Sequence, residues 1–167
     1  MGTGTAVSTG DAITAAKMNL KLETVETGNM DETLIKYAVV EISSAELLAL
    51  FTTPKELVAA PGANKILEFI SLLLAYDYLT TAYTIGAATD LQVKYTDGSG
   101  VAVSTTQAVT GMIDQTSDQI RAMDKLEASV TPAVNAAIVL TLAGANPTLG
   151  VGTVHAKVAY RTIPTGL

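Results

Sequence analysis

The sequence predicts a mainly all-β chain: an antiparallel β-sandwich or jelly roll with short helices and an N-terminal arm. Three observations carry this. About six to eight segments have the alternation and residue types of strands. The joints between them are rich in Gly, Pro, Asn and Thr, and the helix signals span only a few turns. No internal repeat at a fixed spacing replaces this pattern.

The stretch around which the rest is organised runs from Leu57 to Tyr83. A short apolar segment, Leu57 to Ala60, stops at Pro61-Gly62-Ala63-Asn64. Pro presets one turn position there and Gly tolerates positive φ, so a turn between two extended segments is expected. The run from Ile66 to Ala75 is then interrupted only by Glu68 and Ser71. It falls short of the about 20 apolar residues that span a bilayer, so it reads as core covered on both faces, by its own subunit or a neighbour. Periodicity does not separate strand from helix in so apolar a run. The preceding turn, and Tyr76, Tyr78 and Tyr83 among Thr80, Thr81 and Thr84, favour a strand. A buried helix is the alternative.

Composition narrows the function classes. The 167 residues fit one domain with a small appendage, divided here as an arm over 1–31 and a sandwich over 32–167. Apolar residues make up 49%, aromatic ones only 5%, so Ala, Val and Leu build the core. Charged residues are 16%, against about 25% in an average domain. Mean hydropathy is +0.37, and with no membrane segment this surplus implies apolar surface buried between subunits. A net charge of −6, with ten scattered Lys and Arg, argues against nucleic acid. The absence of cysteine removes disulfides and thiolate metal sites. Neither a secretory leader nor a myristoylation signal is visible, position 6 being Ala, so cytoplasmic synthesis is expected.

Along the chain, Met1 to Gly10 is Gly/Thr-rich and uncharged. Asp11 can cap a helix over Ala12 to Glu26, with Ile13, Lys17 and Leu20 near one face and Gly28-Asn29 as its stop. This arm reads as a latch that orders against a partner. Leu34 onward suits a strand with Ile35, Tyr37 and Val39 on one face. Ser43 or Ser44 then caps a helix of one to two turns, and Ser43 with Glu46 fits a capping box. Asp90 to Thr96 alternates cleanly, Leu91, Val93 and Tyr95 one way. Asp97-Gly98-Ser99-Gly100 signals a hairpin whose return strand begins at Val101 to Val103. A short helix or turn is expected over Asp114 to Leu126, the most polar segment. Strands over Ala136 to Ala143 and Gly152 to Ile163 close the chain. In the last, Val154, Ala156, Val158 and Tyr160 oppose His155, Lys157, Ala159 and Arg161.

No catalytic, cofactor or metal residue emerges. His155 is the only histidine and sits on the outer face of a strand. Asp114, Asp118 and Asp124 lack the Gly turn and terminal Glu of a calcium loop, and neither Gly-rich stretch is followed by the Lys-Ser/Thr of a phosphate loop. Glu68 reads either as a perturbed acid or as a carboxylate brought to solvent or against Lys65 or Arg161; no catalytic partner can be named for the first reading. Tyr76, Tyr78, Tyr83 and Tyr95 suit core or subunit interface better than a sugar-stacking platform. A jelly-roll hydrolase should show a His/carboxylate cluster.

The segments LVAAPGANKILEF, DLQVKYTDGSG, Ile113-Asp114-Gln115-Thr116 and the closing VHAKVAYR, with ITAAKMNLKL near the N-terminus, are together similar to small virion proteins of tailed bacteriophages. These are capsid decoration (cement) or head-fibre-like proteins, and the likeness covers Val58 to Ile163. The resemblance implies a β-sandwich homotrimer on the outside of an assembled capsid, made in the host cytoplasm. Its partners would be its own copies and the major capsid protein, with neither nucleic acid nor membrane. Gly2, Ile13, Lys17, Leu20 and Leu22 are then expected to contact the shell. Ile66, Phe69, Leu72, Leu74 and Tyr76 are expected at the subunit interface. The competing reading is a receptor- or glycan-binding domain of a head or tail fibre.

Overall fold

A computed structural model describes residues 34–165. Their strands are β1 (Lys36–Ile42), β2 (Lys55–Val58), β3 (Lys65–Thr81), β4 (Asp90–Tyr95), β5 (Gln107–Ala108), β6 (Gln119–Asp124), β7 (Ile138–Leu142) and β8 (Val151–Pro164). One helical turn, α1 (Ser44–Leu47), joins β1 to β2. The strands form two antiparallel sheets, ordered β1-β8-β3-β6 and β2-β7-β4-β5. β1 pairs with β8, β2 with β7, β3 with β6 and β4 with β5. That nesting is a long double-stranded ribbon folded over on itself, which is the jelly roll among the expected all-β sandwiches.

The core lies between the sheets. Leu67, Leu72, Leu74, Val154 and Val158 of the first sheet meet Leu91, Val93, Ile138 and Leu140 of the second. Alternation produces this on β4 and β8, where every second residue points inward as the sequence pattern requires. β7 is buried along its whole length. The capping box forms as expected. Ser43 N–H donates to Glu46 Oε2 at 2.8 Å, and Glu46 N–H donates to Ser43 Oγ at 3.4 Å. The same Glu46 carboxylate pairs with Lys55, which ties α1 to the start of β2. The Pro61–Asn64 turn also forms, with Gly62 at φ 97° and Asn64 at φ 59°.

Three expectations change. The central run is a strand and longer than expected, 17 residues, but the chain itself covers only one of its faces. Leu67 and Phe69 point inward, then the register shifts between Phe69 and Ser71, and Leu72, Leu74 and Tyr76 point inward next. This bulge moves the inward set from odd to even positions. Of the helix or turn expected over Asp114 to Leu126, only the turn forms, at its start, and Gln119–Asp124 is edge strand β6, with only Met123 fully buried. The return after the Asp97–Gly100 turn narrows to a single bridge between Lys94 and Ala102, flanked by backbone bonds from Tyr95 and Val103. The arm over 1–31 and its helix lie outside the described residues.

Two predictions test this packing. Leu74→Ala leaves a cavity between the sheets and should cost about 2–5 kcal/mol in urea unfolding, while Leu73→Ala on the outer face costs under about 1 kcal/mol. Lys55 and the Ser43 bonds hold the Glu46 carboxyl down at about 2, below its ordinary 4.5. Its contribution is therefore present above about pH 4.5 and is lost as the pH falls toward 2. The melting temperature of Glu46→Gln should depend less on pH across that window than that of the parent chain.

Candidate functional site

The residues singled out in the sequence fall in separate places. Gly2, Ile13, Lys17, Leu20 and Leu22 lie outside the described residues. Phe69, Leu72, Leu74 and Tyr76 are buried in the chain's own core, so the second sheet already covers the side chains expected at a subunit interface. Ile66, half-buried, lines one end of the sandwich instead. The physical reason is the bulge on β3. An unbroken apolar run does not reveal which of its residues face a second sheet of the same chain, and here the inward set is the one selected.

Glu68 is explained by its register partner. β3 places it opposite Arg161 of β8, whose Nε donates to Glu68 Oε2 at 2.8 Å. Of the two cations considered for it, the structure pairs it with Arg161. This pair lies beside a cleft of about 340 Å³ lined by Ile66, Phe69, Tyr95, Lys125, Glu127 and others. Tyr95 hydroxyl donates to the Leu67 carbonyl within it, which is a structural bond between the sheets.

Of the four tyrosines singled out in the sequence, Tyr76, Tyr83 and Tyr95 are core and Tyr78 packs half-buried against it. Tyr76 and Tyr83 pack with ring centroids 6.2 Å apart, tilted by 59°. Tyr83 hydroxyl donates to the Gly152 carbonyl at 2.8 Å. Burial, with Tyr76 beside it, pushes the Tyr83 phenol up to about 12. Tyr76 hydroxyl has no hydrogen-bond partner among the described residues. Burial and the nearby Tyr78, Asp114, Asp118 and Asp77 push its phenol up as well. With Tyr76, Tyr83 and Tyr95 buried, their ring faces are not offered to a sugar. His155 stands exposed on β8 with Glu41 and Ala75 as its register neighbours. Among the described residues no group of three or more His, Cys, Asp or Glu is placed to hold a metal ion. No helix there is long and apolar enough to cross a membrane.

What the structure does bring together is an exposed apolar sheet face. On the side of the first sheet away from the core, Val39, Lys157, Leu73 and Ala122 form one row across all four strands. The rows beside it are Tyr37, Ala159, Ser71, Asp124 and Glu41, His155, Ala75, Ile120. Tyr37 is 63% exposed, Val39 69%, Leu73 43% and Ile120 65%. Lys157 lays its ammonium 5.1 Å from the Tyr37 ring centroid, a cation–π contact in the middle of the face. The alternation of Ile35, Tyr37 and Val39 was visible in the sequence. That this stripe points away from the core was not, because alternation marks two faces without naming the inner one.

No family model and no curated protein sequence matches this chain. Among solved structures it is similar to a chain titled "Cyanophage Pam1 capsid asymmetric unit". The TM-score is 0.43 and the identity 14%, over 95% of this chain and 99% of that one. A likeness of that size carries no argument about this chain.

The unpartnered hydroxyl gives a prediction. Tyr76→Phe removes a buried polar atom that satisfies nothing and should be neutral or stabilising by up to about 2 kcal/mol. Tyr83→Phe removes a bond to a buried carbonyl and should cost about 1 kcal/mol. Urea midpoints at neutral pH read both.

Proposed function

We propose that this chain is a structural protein of a tailed-phage particle, a decoration or cement protein that sits on the outside of the assembled head as a homotrimer. The observation that carries the reading is the exposed apolar face of the first sheet, on a jelly roll whose notable polar groups are spent on internal bonds. Jelly rolls are a recurrent architecture of viral capsid domains, though also of lectins and cupins. The sequence resemblance to decoration and head-fibre-like proteins supports the choice among these. Non-enzymatic action fits the polar inventory. Glu68 is paired with Arg161, Glu46 with Lys55, and Asp97 accepts from Ser99 N–H at 2.8 Å and Ser99 Oγ at 2.7 Å.

In this reading the protein acts by mass action. It binds the assembled lattice better than free capsid protein and so makes disassembly less favourable. Three linked copies of a weak contact hold far better than one. The arm over 1–31, with Gly2, Ile13, Lys17, Leu20 and Leu22, supplies the contact to the major capsid protein. The loss of the tyrosine ring faces weighs against the glycan-binding alternative.

The test adds the purified protein to phage heads that lack it and follows their rupture temperature. The expected result is a concentration-dependent rise that saturates, and at least about tenfold weaker binding after deletion of residues 1–31. No rise at any concentration overturns the decoration reading. A rise that survives the deletion unchanged overturns the arm as the anchor.

A further inference from the structure

We propose that the outer face of the β1-β8-β3-β6 sheet is a self-association surface and that its occupant is a second copy of this chain. The inference rests on the homotrimer reading above and deepens it by naming the face. Twelve large apolar side chains are exposed among the described residues, and five of them fall on this face: Tyr37, Val39, Leu73 and Ile120 in the register rows, and Val151 by alternation along β8. A monomer scatters such residues singly, whereas a contiguous patch marks an interaction site.

The two sheets differ in what covers them. The outward residues of β7 on the second sheet, Val139 and Thr141, are buried. Gly98 and Pro54 lie over Thr141: a Cβ on Gly98 would stand 3.3 Å from Thr141 Oγ1 and 3.4 Å from Pro54 Cγ. The chain's own loops therefore cover part of that side, where the first sheet leaves its middle row open.

Shape, charge and size favour copies of this face gathered around a threefold axis, each setting one half of the face against the other half of the next. A single face-to-face pair would close as a dimer. Along β3 and β6 large and small residues alternate, Ser71, Leu73, Ala75 and Ile120, Ala122. One surface thus carries both the knobs and the hollows that a packed sheet-on-sheet contact needs. Lys157 and His155 stand in the middle on β8, while Glu41 and Asp124 stand on the two edge strands. An offset copy brings its acidic edge toward that centre. Four strands at about 4.8 Å spacing are about 19 Å wide, and about ten residues of paired strand are about 33 Å long. The resulting projected area of about 600 Å², before side-chain relief, approaches the about 800 Å² per partner of a stable interface.

The experiment is sedimentation mass over a range of concentrations for the full chain, for Val39→Glu/Leu73→Glu and for Ile120→Lys. Leu149→Glu, exposed outside this face, is the control. Circular dichroism and melting check the fold of each. The parent and the control should be oligomeric, with a mass near three times 17.2 kDa for the trimer. The two face variants should be folded and weakened at least about a hundredfold toward monomer, because each charge would be desolvated against apolar surface. Folded face variants that stay oligomeric overturn the face and leave the trimer reading standing. A parent chain that is monomeric throughout overturns both, and head binding then judges the decoration reading alone. If the double variant does not fold, Ile120→Lys decides. If neither folds, the face serves the monomer and the inference is overturned.

Discussion

The pairing of β3 with β8 is the constraint on which the rest depends. Its register runs from Lys65 opposite Pro164 to Thr81 opposite Val151, the longest ladder among the described strands, with register shifts between Phe69 and Ser71 and between Tyr78 and Thr81. These two strands are the interior pair of the first sheet, so each also carries an edge strand: β1 on β8, β6 on β3. Antiparallel partners so far apart in sequence close a long loop, which costs entropy before any contact forms. Once that ladder is made, the ribbon of nested pairs brings β2 to β7 and β4 to β5 without a further long closure. The second sheet then lies over Leu72, Leu74, Val154 and Val158 and buries them between the sheets.

The bulge between Phe69 and Ser71 shows how a local irregularity decides which side chains are exposed. Without the shift, the positions that follow Phe69 would exchange faces, since strand side chains alternate with period two. Leu73 would enter the core, and Leu72, Leu74 and Tyr76 would face outward. With it, the large residues are drawn in and Ser71, Leu73 and Ala75 are left outside. On β3 itself the outer side therefore stays low in relief except at Leu73. The Glu68–Arg161 pair lies just before the bulge. It stabilises a half-buried carboxylate beside an apolar cleft, where an unpaired charge would be costly.

Much of the fold was legible in the sequence. DLQVKY alternates because one face of β4 is buried, and VHAKVAYR does so for the same reason on β8. Ser43 and Glu46 announced the start of α1 because a capping box is a local bond pattern. The all-β class followed from many short segments between turn residues. β6 was not legible: Gln119, Arg121 and Asp124 are polar because an edge strand meets solvent, and the pairing that makes it a strand comes from Leu72 and Leu74 across the ladder. The residues expected at an interface went into the chain's own core for a related reason. Ile66, Phe69, Leu72, Leu74 and Tyr76 are the largest residues of the most apolar run, and such residues fill the nearest available core. The residues left exposed were the more mixed set, Val39, Leu73, Ile120 and Tyr37, whose exposure depends on the register of four strands and has no local signature.

The acidic surface and the apolar face act over different ranges, and that difference fits an assembly component. At about 0.15 M salt, charges are screened beyond about 8 Å. A net charge of −6 therefore limits indiscriminate approach of copies, yet adds little repulsion between rims once two faces are in register. Apolar contact needs close fit and acts only there. Lys157 reinforces the distinction: from β8 its ammonium reaches over the Tyr37 ring on edge strand β1, a positive charge on the face itself. Edge strands at either side, β1 and β6, carry Lys36 and Glu41 on one and Asp124 on the other, charges that discourage strand-to-strand addition in the plane of the sheet. Growth by sheet extension is disfavoured while the outer face is left open, so association of the kind proposed above would run through the face and not along the sheet edge.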